Sequence, residues 1–305
     1  MTVLFSTRDR VTSELARTLG RLAPTDLPLL IEGETGTGKS FVASRLHRRG
    51  RPGRPLAVVD CGAIPATLFT SELFGHRAGA FTDATRSREG WCARAEAGTL
   101  VLDRVDALPL EAQAALLRVL EERRFSPVGT ATLLAFRARV VALADVGVRD
   151  KVRGGAFRAD LYHRLAGFHA ELPPLRRRPG DILPFARSVL RRLARRAGRA
   201  LTLDAEAERL LPACPWLGNF RELQAVLTRA ALQAEDGDIG VRTLTLPHDA
   251  WPAVAELAAA RLLPLAEVDR LYALWVLAQL RDNVTQAARA LGVSRRTLIR
   301  WRRRP

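Results

Sequence analysis

Gly33, Glu34, Thr35, Gly36, Thr37, Gly38, Lys39 and Ser40 lie between an apolar run, Leu29 to Ile31, and a helix-like stretch that opens on Phe41-Val42-Ala43. They complete the pattern G-x-x-x-x-G-K-S, the phosphate-binding P-loop. Glycines at these places let successive backbone N–H groups converge on a triphosphate, Lys39 reaches the β and γ phosphates, and the Ser40 hydroxyl can ligate Mg²⁺. The helix that follows adds the partial positive charge of its N-terminus. Pattern and strand-loop-helix context together predict a nucleoside triphosphate site with Mg²⁺.

Such a loop must be held by a sheet. Up to about Pro173, short apolar runs alternate with helical patterns: Leu29 to Ile31, Leu56 to Val59, Thr99 to Leu102 and Val140 to Ala144. Alternation of this kind predicts an α/β domain, a parallel sheet covered by helices, with the ligand at the carboxyl ends of the strands. From Asp181 to about Gln233 the strand signals stop. Ile182, Phe185, Val189, Leu190 and Leu193 recur at helical spacing with arginines between them, which predicts a small helical lid. A Pro-punctuated stretch then leads to about Pro264.

The last forty residues are different. Val268, Leu271, Tyr272, Trp275 and Ala278 keep helical spacing, and after Asp282-Asn283 two short helices are predicted, capped by Thr285 and Ser294 and joined at Gly292. Ala288, Leu291, Val293 and Leu298 supply a shared core. That leaves Arg295, Arg296, Thr297 and Arg300 at the exposed start of the second helix, as in a helix-turn-helix that reads double-stranded DNA.

Charge agrees with this. The net +16 is carried by arginine, since Lys39 and Lys151 are the only lysines, and residues 281–305 hold eight arginines against one aspartate. This points to a polyanionic partner, although arginine-rich helix faces are also often merely solvated. Cys61, Cys92 and Cys214 stand in no metal-ligand or disulfide spacing, which predicts a reducing compartment. With no signal-peptide pattern and no apolar run near the roughly 18 residues of a membrane span, the expected location is the cytoplasm, with no membrane partner.

Beyond the P-loop the chain reads Glu72-Leu-Phe-Gly-His76, Gly79-Ala-Phe-Thr-Asp-Ala84, Gly98-Thr-Leu-Val-Leu-Asp103, Phe157-Arg-Ala-Asp-Leu-Tyr-His-Arg164, Leu172-Pro-Pro-Leu-Arg176 and Trp216-Leu-Gly-Asn-Phe-Arg-Glu-Leu223. In this order these segments resemble the AAA+ activators of sigma-54 RNA polymerase, the bacterial enhancer-binding proteins. The tail resembles their Fis-type helix-turn-helix. The resemblance implies an AAA+ α/β domain over residues 1–172, a helical lid over 173–237, a linker over 238–263 and a DNA-binding domain over 264–305.

It also implies roles. Asp103, at the end of an apolar strand, would hold Mg²⁺ through water with Ser40. Arg158 and Arg164 match the family's arginine fingers, which reach the γ-phosphate of a neighbouring subunit in a ring, expected to be a hexamer. On one helix they would project about 240° apart. Arg221 matches the lid arginine that senses nucleotide in cis. Gly79, Ala80, Phe81, Thr82, Asp83 and Ala84 resemble the GAFTGA loop that touches sigma-54, with Asp83 in place of the second glycine. The implied activity is remodelling of sigma-54 polymerase holoenzyme by nucleotide-driven movement of that loop.

Three departures qualify the resemblance. The family expects glutamate after the Walker B aspartate, to polarise the attacking water, and here Arg104 stands there. A guanidinium has no acceptor, and loss of a positioned base costs on the order of 10² to 10⁴ in rate. Asp60 and Asp145 occupy positions where the family has asparagine. Either could pair with Arg104 and close the water site, or take over as the water-orienting group; in the first case the chain would be a hydrolysis-deficient ATP- and DNA-binding partner or repressor in a mixed ring. Third, about 26 residues precede the first strand, too few for a receiver or sensing domain, which predicts control in trans by an inhibitor, a partner subunit or expression level.

Overall fold

Three of the apolar runs become strands buried on both faces, and the fourth, Leu56 to Val59, becomes a strand that alternates exposed and buried residues. In the computed structural model, residues 4–5, 7–81, 84–234, 236–240, 243–244, 265–280 and 283–303 are described, and they fall into two units, residues 1–173 and 174–305. The first comprises α1 (Arg10–Leu22), β1 (Leu29–Glu32), α2 (Lys39–Gly50), β2 (Leu56–Asp60), α3 (Ala66–Phe74), β3 (Gly75–His76), β4 (Arg88–Glu89), α4 (Trp91–Arg94), β5 (Thr99–Asp103), α5 (Leu110–Glu122), β6 (Arg124–Phe125), β7 (Leu134–Ala135), β8 (Arg139–Ala144), α6 (Val148–Arg153), α7 (Ala159–Leu165) and β9 (Phe168–Glu171).

The main sheet runs β2-β5-β8-β1-β9, with every pairing parallel. Side chains alternate between two cores. Leu30, Leu100, Leu102, Val140 and Ala142 pack with Phe69 of α3, Leu116 of α5 and Leu161 of α7. Leu29, Ile31, Val101, Val141 and Leu143 pack with Leu19 of α1 and with Val42 and Leu46 of α2. Each fully buried leucine or valine contributes roughly 1.5–3 kcal/mol of transfer free energy. Helices therefore cover both faces, as the alternating runs require.

β9 is a fifth strand that the apolar runs do not reveal. It pairs with β1 from Leu29↔Phe168 to Glu32↔Glu171 at the sheet edge, where only Ala170 is fully buried.

The second unit contains α8 (Ile182–Ala197), β10 (Thr202–Leu203), α9 (Ala205–Leu210), α10 (Asn219–Gln233), β11 (Asp238–Ile239), α11 (Leu265–Gln279), α12 (Val284–Ala290) and α13 (Arg295–Arg303). The predicted apolar stripe of α8 packs inward: Ile182, Val189 and Leu190 are buried, with Phe185 and Leu193 partly so. β10 and β11 form a parallel pair beyond the point where no strand is expected; two residues each are too few to leave a period-2 signal. Residues 245–264, which hold most of the predicted linker, lie outside the described residues, as do Asp282 and the side chains of Leu271 and Ala278.

Among the described residues no helix is long and apolar enough to cross a membrane. The three cysteines are buried and form no disulfide with one another.

The core of the second unit is centred on Trp216, fully buried, whose indole N–H donates to the Leu211 carbonyl at 2.7 Å. Beside it Asn219 adopts a left-handed backbone (φ 54°) and accepts the Leu175 N–H on its side-chain oxygen at 2.7 Å. Trp216→Ala removes both ring and hydrogen bond, so we expect a loss of about 3–5 kcal/mol, read as a lowered urea midpoint in far-UV circular dichroism. A loss below about 1 kcal/mol would contradict this placement of the core.

Candidate functional site

The sheet delivers the site residues at the carboxyl ends of its strands. β1 ends at Glu32, and the P-loop leads from there into α2 at Lys39. Gly33 has no room for a side chain, since a Cβ would lie 2.9 Å from the Leu172 carbonyl oxygen. Thr37 closes the loop on itself, its N–H and hydroxyl donating to the Glu34 carbonyl at 3.3 and 2.7 Å. The largely buried Lys39 ammonium donates to the Gly33 carbonyl at 2.6 Å and to Asp145 Oδ1 at 2.7 Å. Ser40 Oγ lies 3.4 Å from Asp103 Oδ2, so the two predicted Mg²⁺ ligands face one another.

Asp60 and Asp103 are register partners at the ends of β2 and β5. The next residue after Asp103, Arg104, has a left-handed backbone (φ 54°), and its guanidinium grips Asp60 with two bonds, Nε to Oδ1 at 2.8 Å and Nη2 to Oδ2 at 2.7 Å. Hydrogen bonding to Asp60, then that carboxylate's charge, raises the Arg104 pKa further. The guanidinium lies against Gly62, where a Cβ would come within 2.7 Å of Cζ; a side chain at 62 would displace the pair. Of the two partners expected for Arg104, Asp60 is the one it meets, and Asp145 takes Lys39 instead.

The local field is negative. Burial foremost, then Asp60 and Asp103, pushes the neighbouring Cys61 thiol up to about 12, against a weaker opposing effect of Arg104. Asp106, one turn beyond, is held by Lys151, whose ammonium donates to its Oδ2 at 2.6 Å, and accepts the Asp145 N–H on Oδ1 at 3.3 Å. A carboxylate-rich pocket next to a phosphate loop suits a divalent cation, and the donor set, one hydroxyl and one carboxylate with open positions, is the kind Mg²⁺ accepts. The residues present therefore fit a Mg²⁺-nucleotide.

The finger candidates sit differently from expectation. Arg158 is the N-cap of α7 with extended backbone (φ −69°, ψ 132°), so it does not project from the helix; the angular relation drawn from helical spacing does not hold. Its guanidinium is bidentate to Asp160 at 3.1 and 2.7 Å, and that bond is the leading reason the Asp160 carboxyl is held below its usual range. Arg164, in the last turn, donates to the Leu120 carbonyl at 3.0 Å. It lines a cavity of about 420 Å³ with Leu27, Leu120, Arg123 and His163, apart from the P-loop. Arg221 is exposed in the first turn of α10, in the second unit.

Two positioning residues escape a sequence reading. Gln113 is fully buried in α5; its Oε1 accepts the Arg158 N–H at 2.8 Å while its Nε2 donates to the carbonyls of Leu108 and Ala156. A polar residue three and four places before Leu116 and Leu117, on the core face, was the available signal. Glu32, buried at the base of the P-loop, accepts the Gly147 N–H at 2.7 Å and lies 2.8 Å from His169 Nε2. It ties β1 to β9 and to the turn that follows Asp145.

The Gly79–Ala84 loop rises from the β3–β4 hairpin. Gly79 N–H donates to the Ala84 carbonyl at 2.8 Å and Ala84 N–H to the Phe81 carbonyl at 2.9 Å, closing its neck. Ala80 lies against the turn at Gly129, and the Phe81 ring meets His76 edge-on at 4.9 Å while staying 37% exposed. Phe81 is thus an accessible apolar tip rather than a core residue. Thr82 and Asp83 lie outside the described residues.

In the tail, α12 and α13 pack on α11 through Ala273, Val276, Leu277, Ala287, Ala288 and Leu298, with Leu291 and Val293 partly buried against them. Ser294 caps α13, its Oγ accepting the Thr297 N–H at 3.0 Å. The first cap is Asn283, not Thr285: Asn283 Oδ1 accepts the Gln286 N–H at 3.1 Å, and Thr285 is an exposed residue within the helix. Arg295, Arg296 and Arg300 are exposed, and Thr297 is half-buried.

Comparison with known proteins agrees with this geometry. Residues 5–171 match the Sigma-54 interaction domain, residues 176–253 the AAA+ ATPase lid domain and residues 264–305 a Homeodomain-like domain. The Sigma54-dependent transcriptional activator SfnR of Pseudomonas putida is 42% identical over 232 residues, covering 75% of this chain and 63% of its own. The transcriptional regulatory protein ZraR of Klebsiella oxytoca is 40% identical over 281 residues, covering 91% and 63%. The chain thus spans 63% of the length of each of these two relatives. Crystal structures of NtrX from Brucella abortus match with a TM-score of 0.74 in complex with ADP (25% identity, 97% of this chain and 68% of NtrX) and 0.71 in complex with ATP (27%, 98% and 68%). With its nucleotide-site unit matched from residue 5 to 171 and a lid and a helix-turn-helix behind it, the chain belongs to the AAA+ family of sigma-54-dependent transcriptional activators.

Proposed function

We propose that this chain is an ATP- and DNA-binding regulator of sigma-54 RNA polymerase, working as a subunit of an AAA+ ring in the cytoplasm, with nucleotide state felt at the Gly79–Ala84 loop. The observation that carries the reading is the convergence of Lys39, Ser40 and Asp103 at neighbouring strand ends, 2.7 to 3.4 Å from their partners, in a chain that keeps an exposed Phe81 on a hairpin of the same unit. Lys39 and the loop N–H groups would hold the phosphates, and Ser40 and Asp103 would hold Mg²⁺, which neutralises phosphate charge when bound. Arg158 and Arg164 would serve a neighbour's site and Arg221 its own. Exposed Arg295, Arg296 and Arg300, with Thr285, Ser294 and Thr297, would face duplex DNA. The division at residues 172, 237 and 263 belongs to the same proposal, as does a hexameric ring.

One observation favours a second reading of the chemistry. Arg104 occupies the place of the water-polarising glutamate, and it also engages both oxygens of Asp60, while Asp145 is engaged by Lys39. With both of its oxygens engaged, Asp60 is not poised to take a proton, and Asp145 is held by Lys39 until a phosphate draws that ammonium away. On this reading the chain binds ATP without turning it over, and serves as partner or repressor in a ring whose other subunits carry the glutamate.

Three measurements follow. Lys39→Ala should weaken ATP binding about ten- to hundredfold, as loss of a charged hydrogen-bond donor does, in a fluorescent-nucleotide titration. Asp145→Asn should tighten it about two- to fivefold, because Lys39 then has no ion pair to give up before meeting phosphate, and the wild-type pair is a weak, half-exposed one; weaker binding would show that Asp145 is itself needed for the nucleotide. Arg104→Glu should raise ATP turnover by about 10² to 10⁴ if the site is closed by the Asp60 pair. Wild type as fast as this variant, or wild type opening promoters alone with sigma-54 holoenzyme, returns the chain to an autonomous motor; activity only when mixed with an active relative supports the partner reading.

A further inference from the structure

We infer that the solvent face of α8 is a second DNA-contacting surface, one that grips the phosphate backbone of a duplex independently of the helix-turn-helix. Ile182–Ala197 contains five arginines and no acidic residue. Arg187 is paired across to Glu208 of α9 at 2.7 Å. Arg191, Arg192, Arg195 and Arg196 are exposed and make no ion pair among the described residues. At 3.6 residues per turn and 1.5 Å rise, these four cations share roughly 140° of the helix circumference and about 7.5 Å of its length.

The rest of the chain shows that this is not merely how its helices carry arginine. In the first unit, α1 sets Glu14 beside Arg10 and Arg17, α5 sets Glu122 beside Arg118, and α6 sets Asp150 beside Arg153. α2 and the one-turn α4 carry arginine without an acid, but α2 confines Arg48 and Arg49 to its last turn and lays Arg45 over Phe41, and α4 lays Arg94 over Trp91. Cations in a last turn suit the helix dipole, which accounts for Arg195 and Arg196 but not for Arg191 and Arg192 a turn earlier. Four like charges on one helix face repel one another, and a polyanion relieves that cost.

Duplex DNA is the occupant the surroundings favour. α8 shares its unit with α13, the other arginine-rich helix there without an acidic residue. α9 links the two regions, with Glu208 bound to Arg187 of α8 and Glu206 lying 3.5 Å from Arg270 of α11. A duplex offers one negative charge per about 1.7 Å of axis, dense enough to engage a patch of this length without base contacts. The inference shares with the function proposed above only the expectation that the chain meets DNA, and it does not depend on which residues read sequence.

The test uses the full chain and a random-sequence 24-base-pair duplex, with affinity measured across a salt series. Replacing Arg191, Arg192, Arg195 and Arg196 together by Gln should lower the magnitude of the slope of log K against log salt by about 2 to 3.5, at about 0.9 per phosphate neutralised, and weaken binding about ten- to a hundredfold at low salt. The same four positions as Lys should keep the slope, which separates loss of charge from damage to the fold. Arg295→Ala with Arg296→Ala is the independent arm: residual binding there that the α8 changes abolish supports the proposal even if the helix-turn-helix reading fails. An unchanged slope and affinity in the Gln variant would overturn it. So would a loss seen with single-stranded RNA but not with the duplex.

Discussion

Charge compensation at the carboxyl edge of a parallel sheet is the constraint on which the site depends. The central strands β1, β5 and β8 are buried on both faces, so ionised side chains are confined largely to their ends. β1 ends on Glu32, β2 on Asp60 and β5 on Asp103, and Asp145 follows β8 directly. Brought together, these carboxylates would repel one another. Each has a partner: Glu32 the Gly147 N–H and His169, Asp60 the Arg104 guanidinium, Asp103 the Ser40 hydroxyl, Asp145 the Lys39 ammonium. The P-loop brings phosphate into this ring of acids, which requires added positive charge from Lys39 and a divalent cation.

Seen in these terms, Arg104 changes more than one catalytic group. A glutamate there would add a fifth carboxylate to the edge, and its repulsion from Asp60 would leave both poised to accept a proton or a water. Arginine replaces that repulsion with a bidentate pair. The pair is half-exposed and screened, so its importance lies in geometry rather than in fold stability: both Asp60 oxygens are occupied, and the guanidinium rests on Gly62, where a side chain would make it shift. Asp60 and Arg104 therefore form a unit, and exchanging one without the other leaves an unpaired charge.

The parts of this arrangement that were legible in the sequence are those fixed by local rules. Runs such as Val140 to Ala144 announce strands because burial on both faces demands uninterrupted apolar residues, and the P-loop is readable because its chemistry is contiguous. β9 was not legible: at an edge, Phe168-His-Ala-Glu171 needs little apolar content, and its existence depends on pairing with β1 more than a hundred residues earlier. The Arg104 partner was narrowed to two and no further, because register sets which strand end lies nearest. Arg158 misled for a similar reason; helical spacing was applied across the helix start, whereas Gln113 of another helix holds that backbone extended. Asn283 takes the cap from Thr285 because two polar residues two places apart each suit the role and only the packing of α12 on α11 decides where the helix begins.

The same reasoning about paired and unpaired charge separates the two units. In the first, most of the exposed helix arginines in α1, α5 and α6 have an acidic neighbour, and the site lysine and arginine have partners even without ligand. A cation with an internal partner must give it up before binding an anion, so such a site discriminates by the strength of what displaces the partner: a triphosphate succeeds where a single weak anion fails. In the second unit α8 and α13 present arginines with no acid in either helix. Apart from Arg187, which Glu208 holds, the described arginines there have no ion pair to displace, and their attraction acts at range and weakens with salt. One half of the chain is thereby suited to selective recognition of a small, highly charged ligand, and the other to rapid, salt-sensitive capture of an extended one.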